Sequence, residues 1–124
     1  QSVTVDLWSA QVFWSDRRDK DIKRANLDGS DPRIVVNTSI LNPVGLAVHG
    51  PRAKLFFGDV QTIKAVNIDG TDVETIINSD YVLQPAGVAI DRTTDKLYWC
   101  DDTWGIIRRS NLDGTDVEDL LVGA

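Results

Sequence analysis

Phe13-Trp14-Ser15-Asp16, Phe56-Phe57-Gly58-Asp59 and Tyr98-Trp99-Cys100-Asp101 are one pattern written three times. An aromatic pair, a small residue and an aspartate recur at intervals of 43 and then 42 residues. Downstream of each tetrad stands a second recurring stretch, Ile22-Lys23-Arg24-Ala25-Asn26-Leu27-Asp28-Gly29 in the first copy and residues 63–70 and 107–114 in the others. Upstream stands a third: Ser2-Val3-Thr4-Val5-Asp6, Gly45-Leu46-Ala47-Val48-His49 and Gly87-Val88-Ala89-Ile90-Asp91. Its last residue always falls seven positions before the first aromatic. A fixed period of this size marks a stack of supersecondary units, none of which can bury its apolar face alone.

Each copy predicts four short strands. Residues 3–5, 46–48 and 88–90 are the first and innermost. Residues 12–15, 55–58 and 97–100 are the second, with the aromatic and β-branched content that strands favour. Residues 22–26, 63–67 and 107–111 alternate apolar and polar, so one face is buried. Residues 34–36, 73–77 and 117–122 are the fourth. Third and fourth strands are joined by Asp28-Gly29-Ser30, Asp69-Gly70-Thr71 and Asp113-Gly114-Thr115, a turn chemistry suited to hairpins. Asn42-Pro43 and Gln84-Pro85 end the connections into the next copy, and helical periodicity is absent. Four strands per repeat of about 42 residues describe a propeller blade. The fold class is all-β: a single half-propeller domain over 1–124, with blades at about 1–42, 43–84 and 85–124.

The aromatic-aromatic-small-Asp tetrad followed by I-x-x-A-x-L-D-G resembles the YWTD (class B) repeat of low-density-lipoprotein-receptor-type proteins, along essentially the whole chain. Ser15, Gly58 and Cys100 stand where that family has Thr, and Phe57 where it has Trp. The resemblance implies a six-bladed antiparallel ring, protein ligands on one face, and a structural role for Asp16, Asp59 and Asp101 in tying strand ends. Three blades make half of such a ring and leave two core-like flanks uncovered, more apolar surface than monomers expose. The expected solution is a homodimer in which blade three of each chain meets blade one of the other, completing six blades.

Composition narrows the function. A net charge of −6 and a pI near 4.6 argue against nucleic acid and anionic membranes, whose phosphates need a basic face. No apolar run is long enough for membrane insertion. The chain opens at Gln1 without any Met, and Asn37-Thr38-Ser39 is an N-glycosylation sequon, so a processed, secreted, extracellular chain is expected. Cys100 is the one cysteine; it forms no intrachain disulfide and is expected as a buried inert thiol. His49 is expected as a solvated turn residue. The Asp28-Gly29-Ser30-Asp31 segment lacks the further oxygen ligands of a calcium loop, and neither a nucleophile–base set nor a phosphate loop is present. No metal, cofactor or catalysis is therefore expected.

What remains is recognition. Trp14 and Trp99 recur with the blade and predict inter-blade packing, whereas Trp8 and Trp104 do not recur. Trp104 lies between second and third strands, on the rim shared with the inter-blade loops. That rim defines the candidate ligand-binding residues Arg17, Arg18, Tyr81, Asp102 and Trp104; Trp8 falls on the opposite rim. Exposed aromatics beside charged groups suit sugar stacking and protein hot spots alike. The leading expectation is lectin-like, multivalent glycan binding by a dimeric ring; the alternative, which the resemblance implies, is a receptor-type module for a protein ligand.

Overall fold

The computed structural model describes residues 2–122. Twelve strands form three sheets, each a meander of neighbouring antiparallel strands. The first sheet holds β1 (Val3–Asp6), β2 (Gln11–Asp16), β3 (Asp21–Asn26) and β4 (Arg33–Val36). The second holds β5 (Pro43–His49), β6 (Lys54–Asp59), β7 (Thr62–Asn67) and β8 (Glu74–Ile77). The third holds β9 (Pro85–Asp91), β10 (Lys96–Asp101), β11 (Ile106–Asn111) and β12 (Glu118–Val122). First strands lie side by side, β1 against β5 and β5 against β9, so the sheets fan out from a common inner edge as propeller blades do.

The inner strands β5 and β9 begin earlier than the spacing predicts, at Pro43 and Pro85. Proline is tolerated at a strand's first position, where its missing N–H costs no ladder bond. A register shift between Val44 and Ala47, with Gly45 at φ +59°, then carries the pairing back to Asp59. A short 3₁₀ turn, Gly50–Arg52, follows β5.

Alternation along the second strands sorts the aromatics between the blade faces. Phe13, Ile22 and Val36 of blade one pack against Leu46, Leu55, Phe57 and Val66 of blade two. Phe56, Ile63 and Ile77 of blade two pack against Leu97 and Trp99 of blade three. The first aromatic of each tetrad thus faces the following blade and the second faces the preceding one. Trp99 is buried in such a seam, whereas Trp14 is only half-buried, because no blade precedes blade one in the described residues. Trp14 departs from the inter-blade packing expected of it for that reason.

The Asp-Gly turns do two jobs. Asp28, Asp69 and Asp113 each accept from the hydroxyl and the amide two residues on, at 2.6 Å and 2.9–3.0 Å. The Ser30, Thr71 and Thr115 hydroxyls, then the amides, hold these carboxyls below the usual carboxylate range. Gly70 and Gly114 meanwhile press onto the preceding blade. A Cβ on Gly70 would lie 2.1 Å from the Val35 carbonyl oxygen, and one on Gly114 would lie 2.2 Å from that of Ile76.

Candidate functional site

The loops between second and third strands and those between blades share one rim, and the tetrad aspartates fasten them together. Asp59 is 1% exposed; it accepts from the amides of Leu41 (3.0 Å) and Asn42 (2.6 Å) and from Lys64 Nζ (2.8 Å). Asp101 is 2% exposed and splits its oxygens: Oδ2 accepts from the Leu83 and Gln84 amides at 2.7 and 3.0 Å, Oδ1 from those of Thr103 and Trp104 at 3.0 and 3.4 Å. Burial would push this carboxyl up, but the four amides outweigh it and hold it below its ordinary value. Asp16 is more exposed and braces its own loop through the amides of Arg18 and Asp19.

Asp16, Asp19 and Asp21 are the one group among the described residues whose carboxylates gather closely enough to hold a metal ion. Lys23 Nζ sits among them at 3.2, 2.8 and 3.2 Å. Its ammonium already supplies the positive charge that the cluster needs, and hydrogen bonding to Asp19 first, with Asp16 and Asp21 after it, raises the lysine well above its usual range.

The rim residues separate into two neighbouring features. Arg17 Nε donates to Asn42 Oδ1 at 2.8 Å, and these two residues, with Gln84 and Asp102, line a polar cleft of about 450 Å³ beside the starts of the inner strands. Arg18 does not line that cleft; it borders a shallower depression with Lys20 and Leu41. Tyr81 and Trp104 converge farther along blade three, on a residue that sequence reading does not single out. The Arg108 guanidinium lies 5.7 Å from the Tyr81 ring centre and 5.0 Å from that of Trp104. It is fixed by donating from Nη1 to the Tyr81 carbonyl (2.7 Å) and from Nε to Asp119 (2.8 Å).

Comparison among the blades explains why Arg108 is easy to overlook. It stands in register with Lys23 and Lys64, and Lys64 likewise donates to an inter-blade loop carbonyl, that of Ser39, at 2.9 Å. A basic residue reaching that loop is thus common to blades two and three. Only in blade three is it an arginine, with aromatics at the two loop positions beside it. The signal in the sequence is that Lys-to-Arg change coinciding with Tyr81 and Trp104. The arginine is largely covered (14% exposed), while Tyr81 and Trp104 remain 44% and 40% exposed. The stack is therefore a pre-ordered aromatic surface braced from within.

Two further residues differ from expectation. His49 is buried, at 5% exposure, where a solvated turn residue is expected. Its Nδ1 accepts from the Arg52 amide and its Nε2 faces Asp95 of blade three at 3.0 Å, so it ties two blades together at the opposite rim. That contact, and then Arg52 at 3.1 Å, hold the Asp95 carboxyl below its usual range. Cys100 is half-buried, its Sγ accepting from the Gly87 amide at 3.2 Å. It shares its strand face with Tyr98, which no following blade covers among the described residues. Trp8 projects at 71% exposure beside Gly50, and Asn37 is exposed just past β4.

Known proteins match this arrangement. Residues 11–49 match the family model of the low-density lipoprotein receptor repeat class B. Protein cueball of Drosophila erecta is 36% identical over 121 residues, covering 90% of this chain and 19% of that protein. Cueball of Drosophila yakuba is 32% identical over 126 residues, covering 94% and 19%. The chain spans about a fifth of the length of these curated relatives. A chain in the crystal structure of a nidogen/laminin complex superposes with a TM-score of 0.91 at 26% identity, over 98% of this chain and 47% of that one. A putative TolB from Agrobacterium tumefaciens shares the fold, with a TM-score of 0.81 at 16% identity over 98% of this chain and 46% of that one.

Proposed function

Because this chain is a run of low-density lipoprotein receptor class B repeats, we propose that it is a non-catalytic, extracellular recognition module that docks a protein ligand on its loop rim. The observation that carries this reading is the Tyr81–Arg108–Trp104 stack. Trp, Tyr and Arg are the residues in which interface binding energy concentrates. Here they are ordered before any ligand arrives, so little side-chain entropy remains to be lost on docking. Arg17, Asn42, Gln84 and Asp102, lining the adjoining cleft, supply polar groups for orientation. The similar nidogen chain comes from a complex of two proteins, which favours a protein ligand over the lectin-like expectation. The described residues contain no helix long and apolar enough to cross a membrane.

The test is biolayer interferometry of the immobilised chain against extracellular-matrix proteins, laminin first, in parallel with a glycan array. Saturable binding to a protein analyte is expected, weakened about 30-fold or more by Trp104→Ala, the scale of a hot spot. Arg108→Lys should weaken it several-fold with the circular dichroism spectrum unchanged. Glycan signals competed by free sugar, with every protein analyte silent, would reassign the rim to a lectin. Protein binding indifferent to Trp104→Ala would move the site off this rim.

Extracellular residence also predicts that Asn37 carries a glycan when the chain passes through a eukaryotic secretory pathway. A glycosidase-sensitive band shift should vanish in Asn37→Gln; a wild-type band that never shifts contradicts the assignment.

A further inference from the structure

The residue that follows the tetrad aspartate stands at the same place in each blade, and it is Arg17, Val60 and Asp102 in turn. All three line the one polar cleft at the loop rim. We propose that this is the position with which each blade reads the ligand, and that the ligand is a protein loop whose aliphatic side chain lies between an acidic and a basic one. The acidic group meets Arg17, the aliphatic one Val60 and the basic one Asp102. The inference rests on the recognition reading above and assigns the chemistry of its partner.

The backbone leading to this position is fastened while its side chains are left free. The preceding aspartate is bonded in every blade, to loop amides throughout and to Lys23 or Lys64 in the first two. Arg17 is held through Nε alone, at Asn42, so both of its terminal nitrogens lack a partner among the described residues. The Asp102 carboxylate has none either; that residue is fixed by its amide, which donates to the Gln84 carbonyl at 3.0 Å. A cation and an anion that no internal pair neutralises keep their fields for a partner, and their opposite signs set its polarity. A ligand loop docked the other way round would place like charges together.

Val60 supplies an independent observation. Blade two passes from second to third strand in two residues, Val60-Gln61, with Asp59 paired to Thr62. Val60 has φ +55° and is the one β-branched residue with a positive φ among the described residues. Two-residue hairpin loops give that place to glycine, asparagine or aspartate, because a branched Cβ crowds the backbone there. The turn is held all the same: the Thr62 hydroxyl donates to the Asp59 carbonyl at 2.7 Å, and the Asp59 side chain is buried and bonded. Glycine would serve this turn better. What valine adds is a branched aliphatic surface, 48% exposed, at a strained site of the kind that collects where function is. The neighbouring loops span four residues each, 17–20 and 102–105, so the rim is lowest at blade two, where an inserted loop has room.

Panning a phage library of disulfide-closed peptides against the immobilised chain tests this, with Trp104→Ala as the control for the rim. The wild-type chain should select peptides in which an aliphatic residue lies between an acidic and a basic one. Against Arg17→Glu the acidic residue should give way to a second basic one, and against Asp102→Lys the basic residue to a second acidic one. Val60→Gly should weaken the wild-type peptides about tenfold or more. Its melting temperature should stay level or rise, since the strain removed offsets the backbone entropy added. Binders that need Trp104 but ignore all three substitutions would overturn the proposal and leave the rim reading intact. A consensus without the flanked aliphatic residue would also overturn it, as would a melting temperature at Val60→Gly that falls together with the binding. Binders indifferent to Trp104 and to the cleft, or none at all, would remove both readings.

Discussion

Gly70→Ala should lower the free energy of unfolding by about 2–5 kcal/mol, summing a left-handed backbone cost of about 1–2 and an overpacking cost of about 1–3. The backbone there has φ +88°, a region closed to most side chains, and the added carbon would sit 2.1 Å from a main-chain oxygen that cannot swing aside. Gly114→Ala meets the same pair of obstacles, at φ +88° and 2.2 Å. Gly29→Ala, at φ +85° with open space around it, incurs only the backbone cost, about 1–2 kcal/mol. The comparison should be made by urea denaturation followed through tryptophan fluorescence, at a concentration where light scattering reads a single chain. Equal losses at Gly29 and Gly70 would show that the Val35 carbonyl does not press on the turn.

Asp101→Asn should be almost as damaging as Asp101→Ala, each costing about 2–4 kcal/mol, the scale of charged hydrogen bonds left unmade at a buried site. The reason lies in the donor geometry. Asp101 receives two amides on each oxygen, and asparagine keeps only one acceptor. Its NH₂ would point at two N–H groups that themselves need acceptors. With the NH₂ in the Oδ1 position one of those groups is the Trp104 amide, and the substitution should then also loosen the Tyr81–Arg108–Trp104 stack and weaken ligand binding. Asp16→Asn should cost less, about 1 kcal/mol, because that carboxylate is more exposed and holds only its own loop and the Lys23 ammonium, which keeps Asp19 and Asp21.

The acid limb of stability gives an independent readout. Asp101 titrates below its ordinary value in the folded protein, so its contribution is complete above the unfolded pKa and fades as the pH falls through the folded one. The stability gap between wild type and Asp101→Asn should therefore be flat from neutrality to about pH 5 and narrow below about pH 4, near the unfolded aspartate pKa. A gap that widens in acid would mean that the carboxylate is not held by its amides.

How much of this was legible before folding depends on the range of each interaction. The tetrads, the alternating third strands and the Asp-Gly turns are local features, each decided by neighbours within a few residues, and they suffice for three four-stranded blades. The bulged starts of β5 and β9 depend on Asp59 and Asp101, which lie in the following strand, and so escaped the spacing. The convergence of Tyr81, Trp104 and Arg108 was half legible: two of the three were candidates, but the cation between them hid behind its lysine counterparts. His49 was misread because its partner, Asp95, is 46 residues away and in another blade.

Sequence alone determined the repeat, the blade and the turn chemistry, because period-two alternation and turn geometry are written in adjacent residues. Only the tertiary structure decided which copies of one motif are buried and which are bare. Trp14 and Trp99 occupy the same motif position, yet one is half-open and the other sealed, since burial is conferred by a neighbouring sheet rather than by the strand that carries the side chain.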